Sequence, residues 1–169
     1  FNGNKIITTG GGGMIVTDDE SIAVRAKHLT TTAKKPHPWL FIHDEKGFNY
    51  RLPNINAALG CAQIEQLDGF VRAKRTIAKK YKEWFSQTDY EFISEPDNSK
   101  SNYWFNSFLA SSREERDEIL EYTNKQKVMT RPAWTPMHNL EMFSDAFRAD
   151  LPNTESLEDR LINIPSSVI

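Results

Sequence analysis

The longest regular pattern of apolar and polar residues in the chain runs from about Pro53 to Phe85. Its apolar residues recur at every third or fourth position, which is the spacing of one face of an α-helix. Asn54 is suited to cap the start of this helix, and Gly69 predicts a break within it. The pattern therefore predicts two helices that follow each other along the chain.

Shorter patterns precede this region. In "KIITTGGGGMIVTDD", β-branched and apolar residues on both sides of four glycines predict two short strands, Ile6–Thr8 and Met14–Thr17. Thr17 and Glu20 have the spacing of a capping box, which predicts a helix in "DDESIAVRAKHL". Residues 29–48 show no sustained period, and their prolines, lysines and aromatic residues predict an ordered loop.

The pattern changes after Gln87. The segments "YEFISEP", "NYWFNSFLA" and "KVMTRPAW" predict strands, and "SLEDRLINIP" predicts a final short helix. Between them, Ser112 begins a second capping box whose helix is predicted to end near Lys125. Because these elements form an α/β unit of their own, we predict two domains, residues 1–87 and residues 88–169.

Composition narrows the possible functions. The 169 residues are 38% hydrophobic and 26% charged, which is typical of a folded, water-soluble chain. The net charge of −2 excludes the basic surface that nucleic acid or an anionic membrane would require, and no apolar run approaches the roughly 20 residues of a membrane span. We therefore predict a cytoplasmic protein. Its single cysteine, Cys61, is predicted to be a buried, inert thiol.

Candidate chemistry begins with Lys5, which lies among small uncharged residues ahead of the four glycines. Such surroundings favour the free amine that Schiff-base chemistry requires, although an ordinary surface lysine fits the same pattern. The four glycines are not followed by the lysine of a nucleotide P-loop, so the sequence does not predict one. They fit either another kind of phosphate-binding loop or a sharp turn. The histidines lack metal-ligand spacing, and we predict no metal site. "TRPAWTPMHN" fits either a packed turn or a ligand contact.

Two long motifs carry a resemblance to a known family. "NGNKIITTGGGGMIVTD" and "GFNYRLPNINAALGCAQIEQLD" closely resemble the DegT/DnrJ/StrS-type sugar aminotransferases. The resemblance implies an α/β fold, namely the C-terminal part of a fold-type I (aspartate aminotransferase-like) enzyme of pyridoxal 5'-phosphate. Residues 1–87 would then end the cofactor-binding large domain, with its long connecting helices, and residues 88–169 would form the small C-terminal domain.

The resemblance also implies roles for individual residues. Lys5 matches the lysine that binds the cofactor covalently and then moves a proton between the sugar carbon and the cofactor. Asn49 matches an asparagine that reaches the cofactor phosphate of the partner subunit in a homodimer. Lys34 and His37 lie in the loop that crosses toward that partner. Arg51 matches the same motif, where a structural role in the turn into the helix is equally open.

The later segments "RPAWTPMHNL" and "LEDRLINIPSSV" resemble one branch of the family, whose members aminate C4 of a UDP-linked 4-keto-6-deoxy sugar for polysaccharide or glycan biosynthesis. The resemblance therefore implies a UDP-sugar and L-glutamate as substrates, with Trp134 and His138 near the nucleotide-sugar. Family members carry further cofactor-binding residues ahead of the lysine, so we expect this chain alone to be inactive. The alternative is a non-catalytic dimerisation or binding fragment, or a degenerate paralogue.

Overall fold

A computed structural model describes residues 1–168. The chain forms two compact units, Phe1–Leu67 and Asp68–Ile169. The division falls at the beginning of a long helix, whereas the sequence pattern placed it near residue 87, at the end of that helix. The assignment of residues 1–87 and 88–169 to a large and a small domain stays a prediction.

The first unit contains two helices, α1 (Glu20–Thr30) and α2 (Asn54–Ile64). Helix α1 is capped by Asp19, whose carboxylate accepts hydrogen bonds from the amides of Ser21 and Ile22. Thr17 is therefore not the cap that we predicted; its hydroxyl accepts a hydrogen bond from the amide of Asp19 instead. Asn54 is the first residue of α2, and Pro53 occupies the cap position without a side-chain hydrogen bond.

The two strands predicted around the glycines are absent among the described residues. Ile6–Thr8 and Met14–Thr17 are irregular, and Met14 and Val16 are 64% and 83% exposed. A strand needs a neighbour for its backbone hydrogen bonds, and no described residue pairs with either segment. The prediction for Cys61 was also wrong, because this cysteine is exposed on α2.

The second unit is built on a four-stranded sheet with the order β1–β2–β4–β3, in which all neighbours are antiparallel. Helix α3 enters this unit, and α4 and α5 lie between strands along the chain. The elements are α3 (Leu67–Phe85), β1 (Glu91–Phe92), β2 (Asn106–Leu109), α4 (Arg113–Lys125), β3 (Arg131–Pro132), two 3-10 turns (Met137–Asn139 and Glu141–Phe143), α5 (Pro152–Arg160) and β4 (Leu161–Ile164).

The core of this unit joins α3 to the sheet. Phe85 at the end of α3 packs with Phe108 of β2, with ring centroids 4.8 Å apart, and with Ile162 of β4, which is fully buried. The apolar residues of two distant segments therefore meet on one face of the sheet.

Ser112 caps α4 as predicted, since its hydroxyl accepts a hydrogen bond from the amide of Glu115.

Two predicted elements have different bounds. The break between α2 and α3 lies at Glu65 and Gln66, and Gly69 lies within α3. The segment "SLEDRLINIP" is helical only as far as Arg160, because "LINI" pairs with β2 in the register Asn106 with Ile164 and Leu109 with Leu161. Across residues 1–168, no helix has both the length and the apolar character needed to cross a membrane.

An ion pair fixes the segment between β1 and β2 against α3. The guanidinium of Arg75 donates to both carboxylate oxygens of Glu95, at 2.8 and 2.7 Å, and the amide of Ser101 donates to the same carboxylate at 2.6 Å. The Arg75 side chain, followed by the Ser101 amide, lowers the pKa of Glu95 to about 2. The carboxylate form of Glu95 is therefore more stable, relative to the protonated form, in the folded state than in the unfolded state.

We predict that Glu95→Gln lowers the free energy of unfolding at pH 7, because the neutral amide loses the charge-assisted bonds. The pKa of Glu95 is lowered from 4.5 to about 2 on folding, so unfolding takes up a proton between these values and the stabilisation declines as pH falls through them. Urea denaturation at several pH values should show the variant and the wild type converging toward pH 2. Glu118→Gln, at an exposed position of α4, is the control. A gap that persists unchanged at pH 2 would contradict the assignment.

Candidate functional site

Lys5 lies in a turn that is attached to helix α2. Its backbone amide donates to the carbonyl of Asn2 at 3.1 Å, and its side chain is exposed. The next residues are tied to α2, because Gln63 Oε1 accepts from the amide of Thr8 at 3.2 Å and the side-chain amide of Asn56 donates to the carbonyl of Thr9. Thr9 is only 3% exposed. Lys5 is thus held on a short segment with a buried, hydrogen-bonded end.

The glycines beside Lys5 allow close packing of the backbone. Gly10 and Gly12 have φ values of +79° and +105°, which residues with a Cβ rarely adopt. A Cβ at Gly12 would lie 2.8 Å from Leu52 Cδ1, and one at Gly60 would lie 2.9 Å from Thr9 Cγ2. The glycines therefore serve a tight turn against neighbouring side chains, which was one of the two alternatives drawn from the sequence.

A cleft of about 1000 Å³ opens within the first unit. Its walls come from the glycine stretch, the irregular segment that follows it, α1 and the entry to α2. Arg51 is among the lining residues, whereas Lys5 is not. Lining residues include Gly11, Gly12, Gly13, Met14, Lys27, Tyr50, Arg51 and Asn56.

The segment from Thr31 to Asn49, here called the 31–49 loop, is ordered by backbone pairing. Thr31 forms an antiparallel bridge with Asn49, and Lys34 forms another with His43. The amides on either side of Asn49 bind the end of α1, Phe48 to the carbonyl of Leu29 at 2.7 Å and Tyr50 to that of Thr30 at 2.9 Å. The predicted ordered loop is thus present, and Asn49 lies at its base.

A close approach of two backbones makes this base possible. A Cβ at Gly47 would lie 2.5 Å from the amide nitrogen of Ala33 and 2.6 Å from the carbonyl carbon of Thr32. Thr32 and Ala33 both have positive φ values, 75° and 50°, and Ala33 is fully buried. Glycine is therefore required at position 47 because no side chain can fit there.

Lys34 and His37 occupy the tip of the loop. The ammonium of Lys34 lies 3.9 Å from the centroid of the Phe41 ring, a cation–π contact. His37 Nδ1 accepts hydrogen bonds from the amides of Trp39 and Leu40, at 3.3 and 3.0 Å. An accepting Nδ1 requires the ring proton of neutral His37 to be on Nε2.

Four charged or titratable side chains join the 31–49 loop to α1. The guanidinium of Arg25 binds both carboxylate oxygens of Glu45, and His28 Nε2 lies 2.7 Å from Asp44 Oδ1. The hydrogen bond from His28 lowers the pKa of Asp44, and that from Arg25 lowers the pKa of Glu45. The ligand atoms of His28, Asp44 and Glu45 lie within 4.8 Å of one another, yet each already has a protein partner. The prediction of no metal site stays a prediction.

The remaining predicted site residues, Trp134 and His138, lie in the second unit. Trp134 is 73% exposed, and its ring centroid is 6.1 Å from that of Phe105, which stacks on Trp104. The side chain of His138 is only 8% exposed, with Nε2 3.3 Å from Glu155 Oε1 but not oriented for a hydrogen bond. Trp134 offers an open aromatic surface, and His138 does not.

The structure groups some predicted residues and adds others. Lys34, His37 and Asn49 share the 31–49 loop, and Arg51 follows it. The residues that sequence reasoning missed are the supports of this region: Asn56 and Gln63, which hold the Lys5 segment, Gly47, and the group Arg25, His28, Asp44 and Glu45. Asn56 and Gln63 were detectable, since they are seven positions apart and therefore share a face of an otherwise apolar helix.

Residues 1–168 match the family described as DegT/DnrJ/EryC1/StrS aminotransferases. The chain belongs to this family. It is 39% identical over 166 residues to the GDP-perosamine synthase of Escherichia coli O157:H7, and 37% identical over 171 residues to EpsN of Bacillus subtilis (strain 168), provisionally named a pyridoxal phosphate-dependent aminotransferase. These matches cover 98% of this chain but 45% and 44% of the relatives, so the chain spans about half their length.

Solved structures of aminotransferases confirm the predicted fold class. The aminotransferase TlmJ from Streptoalloteichus hindustanus has a TM-score of 0.84 at 25% identity, covering 95% of this chain and 43% of that one. PseC of Helicobacter pylori, an aminotransferase involved in the biosynthesis of pseudoaminic acid, has a TM-score of 0.86 at 22% identity, covering 95% and 44%. The chain therefore has the fold of part of a fold-type I enzyme.

We predict that Gly47→Ala disrupts the base of the 31–49 loop. The added methyl group must displace the backbone at Thr32 and Ala33, which should lower the free energy of unfolding by about 1–3 kcal/mol. Urea denaturation measures the loss. Gly13→Ala is the matched control, because a Cβ there would have no neighbour within 4 Å. Equal effects of the two substitutions would contradict the close approach at Gly47.

Proposed function

We propose that this chain forms part of a pyridoxal phosphate-dependent aminotransferase that transfers an amino group from an amino acid to the keto carbon of a nucleotide-linked sugar. The observation that carries the proposal is the family match over residues 1–168 together with an exposed Lys5 within it. Both are needed, since a family match alone does not fix the chemistry. An exposed lysine at the matching motif supplies the reactive amine.

The residues around Lys5 fit this cofactor. Lys5 is the sole charged side chain among residues 1–17. Asn49 carries an exposed side-chain amide that can donate to a phosphate oxygen. When bound, pyridoxal phosphate supplies the electron sink and the carbon that carries the amino group between the two substrates. We propose that Lys5 binds it covalently and that Asn49 binds the phosphate of the cofactor held by a second copy of the chain.

Lys5 has a second proposed role as the proton carrier. With the cofactor bound, the Lys5 amine would be available to take up and return the proton that moves between substrate and cofactor. A lysine amine at this place serves as general base and then as general acid. Two hydrogen bonds support this role because they fix the backbone that follows Lys5: Asn56 donates to the carbonyl of Thr9, and Gln63 accepts from the amide of Thr8.

We propose binding residues for the nucleotide-sugar within each unit. Lys34, His37 and Arg51 offer donors and positive charge for phosphate oxygens. Trp134 offers an exposed ring on which a base or sugar can stack. The His138 side chain is buried beside Glu155, and its contact with the nucleotide-sugar stays a proposal.

The sequence motifs support a UDP-linked 4-keto-6-deoxy sugar as acceptor and L-glutamate as donor. A GDP-linked sugar is the second candidate, because relatives from Escherichia coli O157:H7 and Vibrio cholerae, 39% and 33% identical, are named GDP-perosamine synthases. A homodimer with shared sites, the cytoplasmic location and a role in surface polysaccharide or glycan biosynthesis stay proposals. The alternative of a non-catalytic fragment or paralogue is distinguished by the first of two experiments.

In the whole protein, we predict that Lys5→Ala lowers the rate of amination by about 1000-fold or more, because the covalent anchor and the proton carrier are lost together. Amination of a nucleotide-linked 4-keto sugar with glutamate as donor is the measurement. Borohydride reduction of the wild-type protein with pyridoxal phosphate should attach the cofactor to the peptide that contains Lys5. Lys79→Ala, at an exposed position of α3, is the control. Near-normal amination by the Lys5 variant would overturn the proposal.

For the nucleotide, we predict that kcat/KM is at least about tenfold higher for the UDP-linked than for the GDP-linked 4-keto sugar, a difference of about 1.4 kcal/mol. Both substrates are to be compared with the same donor and the same protein preparation. The reverse preference would establish the second candidate in place of the first. It would leave the role of Lys5 untouched.

A further inference from the structure

The 31–49 loop is attached to helix α1 by two side-chain pairs that the proposed chemistry does not use. Arg25 and His28 are three positions apart on α1 and therefore lie on one face of the helix. Their partners, Glu45 and Asp44, are consecutive residues of the loop. The four residues Arg25, His28, Asp44 and Glu45 are called the α1 clamp below.

The α1 clamp lies between the two parts of the loop that carry candidate binding residues. On one side, the amide of Asp44 donates to the carbonyl of Ala33 at 3.2 Å, and His43 pairs with Lys34. On the other side, Asn49 pairs with Thr31. A shift of residues 44 and 45 relative to α1 would therefore move the tip and the base of the loop together.

The geometry of the clamp is more specific than that of an ordinary surface pair. Both nitrogens of the Arg25 fork bind both oxygens of Glu45, with Nη2 to Oε2 at 2.6 Å, and such two-point contacts fix orientation as well as distance. Exposed ion pairs contribute little to overall stability. Ordering a loop, in contrast, costs backbone entropy at every residue, so a tether has most effect on the loop itself.

We propose that the α1 clamp consists of positioning residues, which hold Asn49, Lys34 and His37 in place and so set the affinity of the site for phosphate-bearing ligands. The inference rests on the proposed function, because that function gives these three residues their ligands. The clamp residues act through the loop and do not touch the ligand. Loss of the clamp should therefore raise KM and the Kd for the cofactor, with a smaller effect on kcat.

The experiment uses the whole protein and three variants. Arg25→Glu places two carboxylates together, Glu45→Arg places two guanidinium groups together, and the double reversal restores the pair in the opposite sense. The matched control is the same reversal at Lys79 and Glu83, an exposed pair of α3 with 3.7 Å between charged atoms. Circular dichroism checks that each variant is folded.

Two readouts are needed. Hydrogen exchange should be about tenfold faster at the amides of Thr32, Lys35, Asp44 and Phe48 in each single variant, because these amides bond within the loop or to the end of α1. Titration with UDP, GDP and pyridoxal phosphate should show about tenfold weaker binding of the phosphate ligand that the wild type binds. The double reversal should recover most of both losses, and the α3 control should show neither.

The outcomes separate this inference from the proposed function. Faster exchange with unchanged ligand affinity would overturn the positioning role while leaving the proposed function intact. Unchanged exchange in the single variants would overturn the tether itself. A wild-type protein that binds none of the three ligands would overturn the proposed function, and this inference with it.

Discussion

The contact between Gly47 and the backbone of Thr32 and Ala33 is the constraint on which the 31–49 loop depends. With no room for a side chain at Gly47, the two backbones approach closely enough for Phe48 and Tyr50 to bond the end of α1. The same approach buries Ala33 and holds it in a left-handed conformation that costs energy for a residue with a Cβ. The positions of the candidate binding residues on this loop therefore depend on the close packing at Gly47.

Local sequence signals predicted the helices better than the strands. The capping serine of α4 acts through neighbouring residues alone, so Ser112 could be recognised from four letters of sequence. The segment "LINI" could not be assigned in this way, because its strand exists through pairing with β2, more than fifty positions away in sequence. Ile6–Thr8 and Met14–Thr17 illustrate the same point in reverse, since β propensity without a neighbouring strand leaves irregular chain.

Only some residues of the candidate site could be recognised from the sequence, and there is a physical reason why the others could not. Lys5 and Asn49 are noticeable because they lie in long motifs shared with a family whose chemistry is known. Arg25 and Glu45 give no such signal, since charged residues on a helix and in a loop look like ordinary surface until the fold brings them together. Residues with a proposed chemical role are therefore easier to recognise from sequence than the residues that support them.

The imidazole of His37 has a consequence for which molecules the loop tip can accept. With Nδ1 engaged by two backbone amides, the ring presents only an N–H group at Nε2. A ligand that contacts Nε2 must therefore offer a hydrogen-bond acceptor, such as a phosphate or carbonyl oxygen, and a ligand that offers a hydrogen-bond donor there is disfavoured. At the tip, the imidazole of His37 thus serves only as a hydrogen-bond donor, because the backbone amides of Trp39 and Leu40 occupy its acceptor nitrogen.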